Sequence, residues 1–551
     1  MSFGSISKLV ADALPEQIEF SLETPPDPKF GDFATNAAML LAKRVGKNPR
    51  ELAEKISKKI AENDLVEKAE IAGPGFINIF LAPKFFHETF TEIEKSGKNF
   101  GSADTGNPSI GSGRRKEKVL LEFISANPTG PLTIANGRGG FGGDVLARVL
   151  ARAGFEVSRE FYVNDAGRQI ELLGKSILAA AGKIPAEEDF YKGGYIQELA
   201  DKHSDKISDD PKKVGAAFLE ILLNEEIKPA VAKMGVEFDQ WFSEKKLHEQ
   251  RLIEKNLEKF SDKIYEQDGA TFLRTTDCGD DKDRVLKKAD GEWTYFAADI
   301  AYHADKFARA DKLIDIWGAD HHGYLGRIFA AAEVLGRRDD LKIIVTQLVK
   351  LFRDGKEVRM SKRAGNFELM DDLIAEVGAD AARWFFVMRD WNTHLNFDLD
   401  LAKKQSSDNP VFYVQYAHTR LASILEKAGD VDYQKGKIEL LTDSAEFALI
   451  KKLAELPALV EEISQSYAVH QLTTYARDLA ETFHKFYENC RVVDAENPEL
   501  TAARLRLVAT TKEVLRIVLE ELVGVSAPVK MGGFGILPSP PLGKEGISGR
   551  G

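Results

Sequence analysis

A buried-strand run, Val119 to Ile124 (VLLEFI), gives way to Asn127-Pro128-Thr129-Gly130-Pro131. A glycine cluster follows, ending at Gly143, and then Val145, Leu146, Val149 and Leu150 fall on one side of a helix. Strand, glycine-rich turn and helix in that order open a nucleotide-binding α/β unit, and no other feature restricts the fold as much. Glycine lets the backbone approach a ligand closely. The helix behind it presents unpaired N–H groups and the positive end of its dipole to an anion. The same cluster would also serve a tight strand–helix turn with no ligand. Further strands are expected at Val157–Tyr162, Lys312–Trp317 and Leu341–Leu348, which extends the unit into a parallel sheet.

The remainder of the chain divides by composition. Residues 1–100 read as a mixed α/β domain: Ala37, Leu40, Leu41, Val45, Leu52, Ile56 and Ile60 recur at helical spacing, and Ala72 to Leu81 reads as a turn into a strand. Residues 101–116, rich in Gly, Ser and charge, read as a linker. Residues 117–404 form the sheet domain, with a mostly helical insertion near 170–265. From 405 to 531 no strand alternation remains. Leu472, Tyr475, Leu479, Phe483 and Phe486 step by three and four, and Arg504, Leu507, Leu515, Ile517, Val518 and Leu522 lie in another helix, so an all-α bundle is expected. The Gly/Pro/Ser-rich tail, 532–551, is expected to be disordered.

With 551 residues, 43% hydrophobic and 29% charged, the chain has material for three or four cores at roughly 150 residues each. No apolar run approaches the roughly 18 residues of a membrane span, and no basic segment followed by an apolar one opens the chain, so a cytoplasmic location is expected. Cys278 and Cys490 are too few for a disulfide framework or a thiolate zinc site and read as packing residues. Lys+Arg 75 against Asp+Glu 87 gives a net charge of −12, so any nucleic acid must meet a localised basic face.

A second motif, Glu357 to Phe367 (EVRMSKRAGNF), sets Arg359, Lys362 and Arg363 around Ser361 in what reads as a mobile loop. A lysine so placed can follow phosphates as charge shifts during a displacement. Its Met360-Ser361-Lys362 core lies about 225 residues after the glycine-rich turn, and the two together resemble the paired signatures of class I aminoacyl-tRNA synthetases. Longer blocks narrow the likeness. EFISANPTGPLTIANGR (122–138), FYVNDAG (161–167), FDQWFSE (238–244), LRTTDCGDDKDRV (273–285), YFAADIAYH (295–303), WGADHHGY (317–324), MSKRAGNF (360–367) and DNPVFYVQYAH (408–418) all resemble arginyl-tRNA synthetases, in order and over about Phe20 to Met531.

That resemblance implies a class I Rossmann-like catalytic domain with a parallel sheet, flanked by an α/β N-terminal domain and an all-α anticodon-binding bundle. It implies that L-arginine and ATP form arginyl-adenylate, with tRNA already bound, before the arginyl group moves to the tRNA. ATP with Mg²⁺, L-arginine and arginine tRNA are the expected partners, and a monomer is the family expectation. A guanidinium has donors and no acceptors, so its pocket must supply carboxylates. The positions that match the family's site are Glu244, Tyr295 and Asp299 for the guanidinium, with Glu122 and Asn127 for the α-amino and carboxylate end. Thr133, Asn136, Met360, Ser361 and Lys362 match the catalytic signatures; Gly137, Arg138, Gly318, Asp320, His322 and Gly323 match the ATP site. His321 and His322 read equally well as structural histidines, and no metal site of the protein's own is expected.

The first signature departs from the family. Two histidines flanking a small residue and a glycine are replaced by Thr133-Ile134-Ala135-Asn136, which leaves one hydroxyl and one amide as neutral donors. A catalytically inactive RNA-binding paralogue is therefore the alternative. For RNA, Phe76 and Asn78 match the loop that reads a D-loop base, although Phe76 also suits a strand-end core position. Tyr413, Gln415, Tyr416, His418 and Arg420 form one candidate anticodon surface, and His484, Tyr487, Asn489 and Arg491 another.

Overall fold

The computed structural model of the chain describes residues 3–25, 27–103, 116–358 and 369–531. Met360, Ser361 and Lys362, most of the linker and the tail therefore lie outside the described residues.

The N-terminal sheet is antiparallel, built from β1 (Leu22–Glu23), β2 (Phe33–Thr35), β3 (Val66–Ala72) and β4 (Phe76–Leu81) in the order β1-β2-β4-β3. The apolar period read over 37–60 is two helices, Ala37–Val45 and Pro49–Ala61. Between them Gly46 takes φ +66°, and the Asn48 side chain caps the second helix by accepting from the Arg50 N–H. Ala37, Leu41, Leu52, Ile56 and Ile60 are buried, whereas Leu40 and Val45 turn to solvent.

The chain then supplies β5 (Lys118–Glu122), β6 (Glu156–Val163) and β7 (Gln240–Ser243). A small antiparallel sheet follows, made of β8 (Ile264–Gln267), β9 (Ala270–Leu273) and β10 (Arg284–Lys287). Next come β11 (Lys312–Gly318) and β12 (Leu341–Thr346), then a three-stranded sheet of β13 (Val349–Arg353), β14 (Lys356–Val358) and β15 (Leu395–Asp398). Five of these form one parallel sheet in the order β12-β11-β5-β6-β7. Strand order reverses between β5 and β11, which opens a crevice beyond the carboxyl ends of those two strands. The helical reading of 170–265 needs correction at both ends of that sheet's outer edge. Gln240–Ser243 is its fifth strand and Ile264–Gln267 begins another; four residues are too few to show a two-residue period.

Helix α1 (Asn136–Arg152) follows β5 and is buried on nearly every side. Its glycines serve packing. A Cβ on Gly137 would overlap Phe386, on Gly140 Met234, on Gly142 Trp391 and on Gly143 Phe123, while Gly139 has ordinary contacts. Helices Arg168–Ala180 and Pro211–Ile221 cross backbone against backbone at Gly174 and Gly215 and hold their own core of Leu173, Ile177, Val214 and Phe218. Helix α2 (Tyr295–Arg309), capped by Thr294 on the Ala297 N–H, lies against the parallel sheet.

Beyond β15 the described residues contain no strand. The bundle includes α3 (Pro410–Ala428), α4 (His470–Asn489) and α5 (Pro498–Arg516). Leu472, Tyr475, Leu479, Phe483 and Phe486 are its buried stripe. The N-terminal domain docks on this bundle. Phe86 stacks on Phe447 at 4.5 Å, Arg506 grips Glu94 with two nitrogens, and Lys451 donates to the Asp32 carbonyl at 2.5 Å.

Candidate active site

In a parallel sheet, residues paired across strands present their side chains to one face. The register sets Asp315 of β11 beside Glu122 of β5, and Glu122 beside Glu160 of β6. Three carboxylates thus stand in a buried row across the sheet, and isolated they would be far too costly. Helix α2 supplies the compensation from one face, where Asp299, Tyr302, Lys306 and Arg309 step by three, four and three. Lys306, fully buried, reaches Glu122 at 2.5 Å and Asp315 at 2.7 Å. Arg309 binds Glu160 at 2.7 Å, the Tyr302 hydroxyl donates to Glu160 at 2.6 Å, and His303 Nε2 lies 3.1 Å from Asp315. Burial pushes Glu122 above the usual carboxylate range, whereas Lys306 and His303 hold Asp315 low.

Two further carboxylates at the same crevice lack such partners. Glu244 begins the short helix after β7 and is 4% exposed; Asp299 lies one turn before Tyr302 and His303. Neither is in an ion pair with a described residue. Glu244 accepts from the Tyr162 hydroxyl, and Asp299 accepts from the Tyr324 hydroxyl at 2.6 Å. Burial raises Glu244 to about 7, with Asp299 and Asp165 adding to the rise, and burial raises Asp299 as well. Mutually repelling and without an ion pair among the described residues, the two carboxylates form an acidic patch whose charge a cation with several donors could neutralise. Tyr295, at the N-terminus of α2, is 67% exposed at the rim, its hydroxyl near Gly167.

Between β5 and α1 the backbone is strained. Ile124 and Ser125 take φ +67° and +40°, unusual for residues with a Cβ and outright costly for a β-branched one. Ser125 Oγ donates to Glu122 at 2.8 Å and accepts from the Tyr162 N–H at 3.1 Å, so the ionic row fixes the bend. Glu122 is thereby engaged by Lys306, Tyr302 and Ser125. Asn127 is exposed on the turn. The Tyr195 hydroxyl donates to the Thr129 carbonyl at 2.9 Å, and its ring fills the space a Cβ on Gly130 would take. Asn136 Oδ1 accepts from the Thr133 N–H at 2.9 Å and hydroxyl at 3.2 Å, which leaves the Asn136 amide N–H₂ as the outward donor at the start of α1. Thr133 also bridges Leu369, the residue at which the chain re-enters the described structure after 359–368.

The nucleotide half holds one reversal. Arg138 turns inward: 1% exposed, its guanidinium donates to the carbonyls of Thr393, Arg389 and Asp390, so it ties α1 to the chain before β15 instead of facing ATP. Gly137 likewise meets Phe386. Gly318 ends β11 at the crevice, and Asp320, His321, His322 and Gly323 are exposed beyond it, with His321 against Trp317.

Among the RNA candidates, Phe76 is 37% exposed in a hollow of about 310 Å³ with Phe30 and the Asn78 side chain. Tyr487, also 37% exposed, stacks under the Arg420 guanidinium, which reaches towards Tyr416 as well. Gln415 faces elsewhere: it is buried and donates to Asp380 and Ser526, joining the bundle to the catalytic domain. His418 is buried on the Pro528 carbonyl. His484 is buried beside Tyr413, and burial lowers it to about 4. The helical stripe carried no sign of which aromatics pack inward. Glu160, Tyr162, Tyr302, His303, Lys306, Asp315 and Tyr195 were not singled out by the sequence. The spacing of polar residues along α2 was the one available signal.

Three family models match the chain: the arginyl tRNA synthetase N terminal domain over 4–81, the catalytic domain of tRNA synthetases class I (R) over 224–396, and the DALR anticodon binding domain over 414–531. An arginine–tRNA ligase from Citrifermentans bemidjiense is 44% identical over 533 residues, spanning 93% of this chain and 95% of its own. One from Symbiobacterium thermophilum is 45% identical over 537 residues, spanning 93% and 94%. The solved arginyl-tRNA synthetase of Thermus thermophilus shares the fold, with a TM-score of 0.75 at 21% identity over 96% of this chain and 100% of that one. A likeness that runs almost end to end, on a parallel sheet of the class I order, places this chain in the arginyl-tRNA synthetase family of class I.

Proposed function

We propose that the chain binds L-arginine between Glu244, Asp299 and Tyr295, activates it with Mg²⁺–ATP as arginyl-adenylate once tRNA is bound, and passes it to that tRNA. The attachment of arginine to tRNA follows from membership of the family over nearly the full length, and the arginine–tRNA ligases it resembles favour that reading over the inactive alternative. The observation that carries the residue assignment is the contrast between two sets of carboxylates. Glu122, Asp315 and Glu160 have their cations inside the protein, whereas Glu244 and Asp299 have none among the described residues. A guanidinium supplies the missing charge and donors together; a neutral amino acid would leave both carboxylates unpaired.

The chain forms no covalent bond to substrate in this reading. It holds the arginine carboxylate in line with the α-phosphate and stabilises charge gathering on pyrophosphate. Asn127 meets the amino-acid end. Thr133, Asn136 and the N-terminus of α1 donate to phosphate, the exposed loop from Gly318 to Gly323 lines the adenosine, and the charge of Lys362 in the second signature serves the departing pyrophosphate. Asp320, the one carboxylate of that loop, would be the side chain offered there to a Mg²⁺ brought with ATP, and such an ion would help to neutralise the phosphates. Phe76 with Asn78 meets the tRNA elbow, and Tyr416, Arg420 and Tyr487 meet the anticodon. No helix among the described residues is long and apolar enough to cross a membrane, and the reading is of a cytoplasmic monomer. ATP–pyrophosphate exchange tests it. Exchange that requires both arginine and tRNA is the expected result; exchange without tRNA, or none at all, refutes it.

A further inference from the structure

At the end of β6 two adjacent residues reach opposite walls of the pocket. Asn164 donates from Nδ2 to Asn127 Oδ1 at 3.3 Å, and Asp165 accepts from the Ser243 hydroxyl at 2.6 Å and the Lys245 N–H at 2.9 Å. Ser243 and Lys245 flank Glu244, so Asp165 holds both neighbours of the carboxylate assigned to the guanidinium, one by its hydroxyl and the other by its backbone N–H. Asn127, held by Asn164, is assigned to the other end of the same substrate. The pair is itself anchored: Gln169 donates to the Asn164 carbonyl at 2.7 Å, and the Asp165 N–H donates to Val163 at 2.9 Å.

We infer that Asn164 and Asp165 are positioning residues that fix the span between the two ends of the arginine pocket, and so help to select a substrate of arginine's length. The inference rests on the assignment of Asn127 and Glu244 proposed above. Three physical points support it. Consecutive residues at a strand end cannot move apart, so two bonds made by neighbours convert the rigidity of β6 into a fixed distance between separate loops. By accepting from Asn164, Asn127 Oδ1 is engaged and its N–H₂ is left to donate, the sense required to meet a carboxylate. Finally, Asn164 Oδ1 is buried with no hydrogen-bond partner, a costly arrangement that a donor arriving with the substrate would relieve.

Agmatine, which keeps the guanidinium and lacks the carboxylate, separates the two ends. In tRNA-dependent exchange, Asn164→Ala is expected to raise the arginine KM about tenfold, the worth of roughly one charge-assisted bond, while kcat and the ATP KM stay near wild type and inhibition by agmatine, which keeps the amine and lacks only the carboxylate, weakens less than arginine binding does. Asp165→Asn is expected to weaken arginine and agmatine alike by about tenfold, again without moving the ATP KM. Ser243→Ala, which removes only one of the two bonds to Asp165, is expected to do the same to a smaller degree and guards against a misfolded Asp165 variant. Equal effects of Asn164→Ala on arginine and agmatine, or a parallel rise in the ATP KM, overturn the inference. Glu244→Gln and Asn127→Ala serve as references. If those two leave the arginine KM unchanged, the pocket assignment itself is at fault; if they raise it while the Asn164 and Asp165 variants do not, the span role alone fails.

Discussion

Glu244→Gln separates what the fold prefers from what the substrate prefers. Burial carries Glu244 from its ordinary 4.5 to about 7, so folded protein holds this proton more tightly than unfolded chain. Its contribution to stability is fully present below about 4.5 and is lost as pH rises to about 7. Two and a half pKa units at 1.36 kcal/mol each make the ionised form cost about 3 kcal/mol above that window. Glutamine is neutral throughout and keeps an acceptor for Tyr162. At pH 5 the variant and the parent are expected to unfold together. At pH 8 the variant is expected to be the more stable by up to about 3 kcal/mol, a rise of several degrees in the catalytic domain's transition. Arginine affinity moves the other way. A hydrogen bond to a charged group is worth about 1.5–3 kcal/mol, so the arginine KM is expected to rise roughly 10- to 150-fold. In the parent, that KM is expected to climb about tenfold per pH unit below 7, because a proton competes with the guanidinium, and this dependence is expected to flatten in the variant. Thermal unfolding at the two pH values and arginine titration of the exchange reaction give both readouts. A variant less stable than the parent at pH 8, or one with an unchanged arginine KM, refutes the reasoning.

Lys306→Met leaves Glu122 and Asp315 buried without their shared cation and is expected to cost about 3–5 kcal/mol in denaturant unfolding. Asn136→Ala removes the outward amide and frees the Thr133 hydroxyl; kcat for adenylate formation is expected to fall about tenfold with little change in the arginine KM, as steady-state exchange will show. Lys362→Ala is expected to lower kcat for adenylate formation far more than it weakens tRNA binding, measured by filter retention, since its charge is needed as pyrophosphate departs. Tyr195→Phe loosens the Thr129 turn and is expected to raise the arginine KM several-fold while thermal unfolding changes by less than about 2 kcal/mol.

The parts legible in the sequence were those whose signal is local. VLLEFI followed by glycines and an apolar-faced helix declared β5 and α1, because strand and helix periods differ within a dozen residues. Glu244 and Asp299 were legible through the resemblance of the blocks around them. What stayed hidden depends on contacts distant in sequence. Asp315 meets Glu122 only through strand register, and Lys306 is drawn to them from a helix whose sequence shows an alternation of apolar and polar residues and no hint of a buried cation. The glycine cluster stayed ambiguous for a different reason: close approach to a ligand and close approach to Phe386 or Trp391 demand the same residue. Arg138 follows the same logic, since a basic residue beside a phosphate site and one that gathers carbonyls look alike in one dimension.

The docking of the first domain on the last, through Phe86 on Phe447 and Arg506 on Glu94, gives the molecule the character of a caliper. Its two jaws, the Phe76 hollow and the Tyr487–Arg420 face proposed above as RNA contacts, are held by one body and not by a tether. A folded RNA touching both collects the second contact at little further entropic cost, and one whose arms are too short or too long collects only the first. Discrimination among RNAs can therefore come from overall dimension before any base is read.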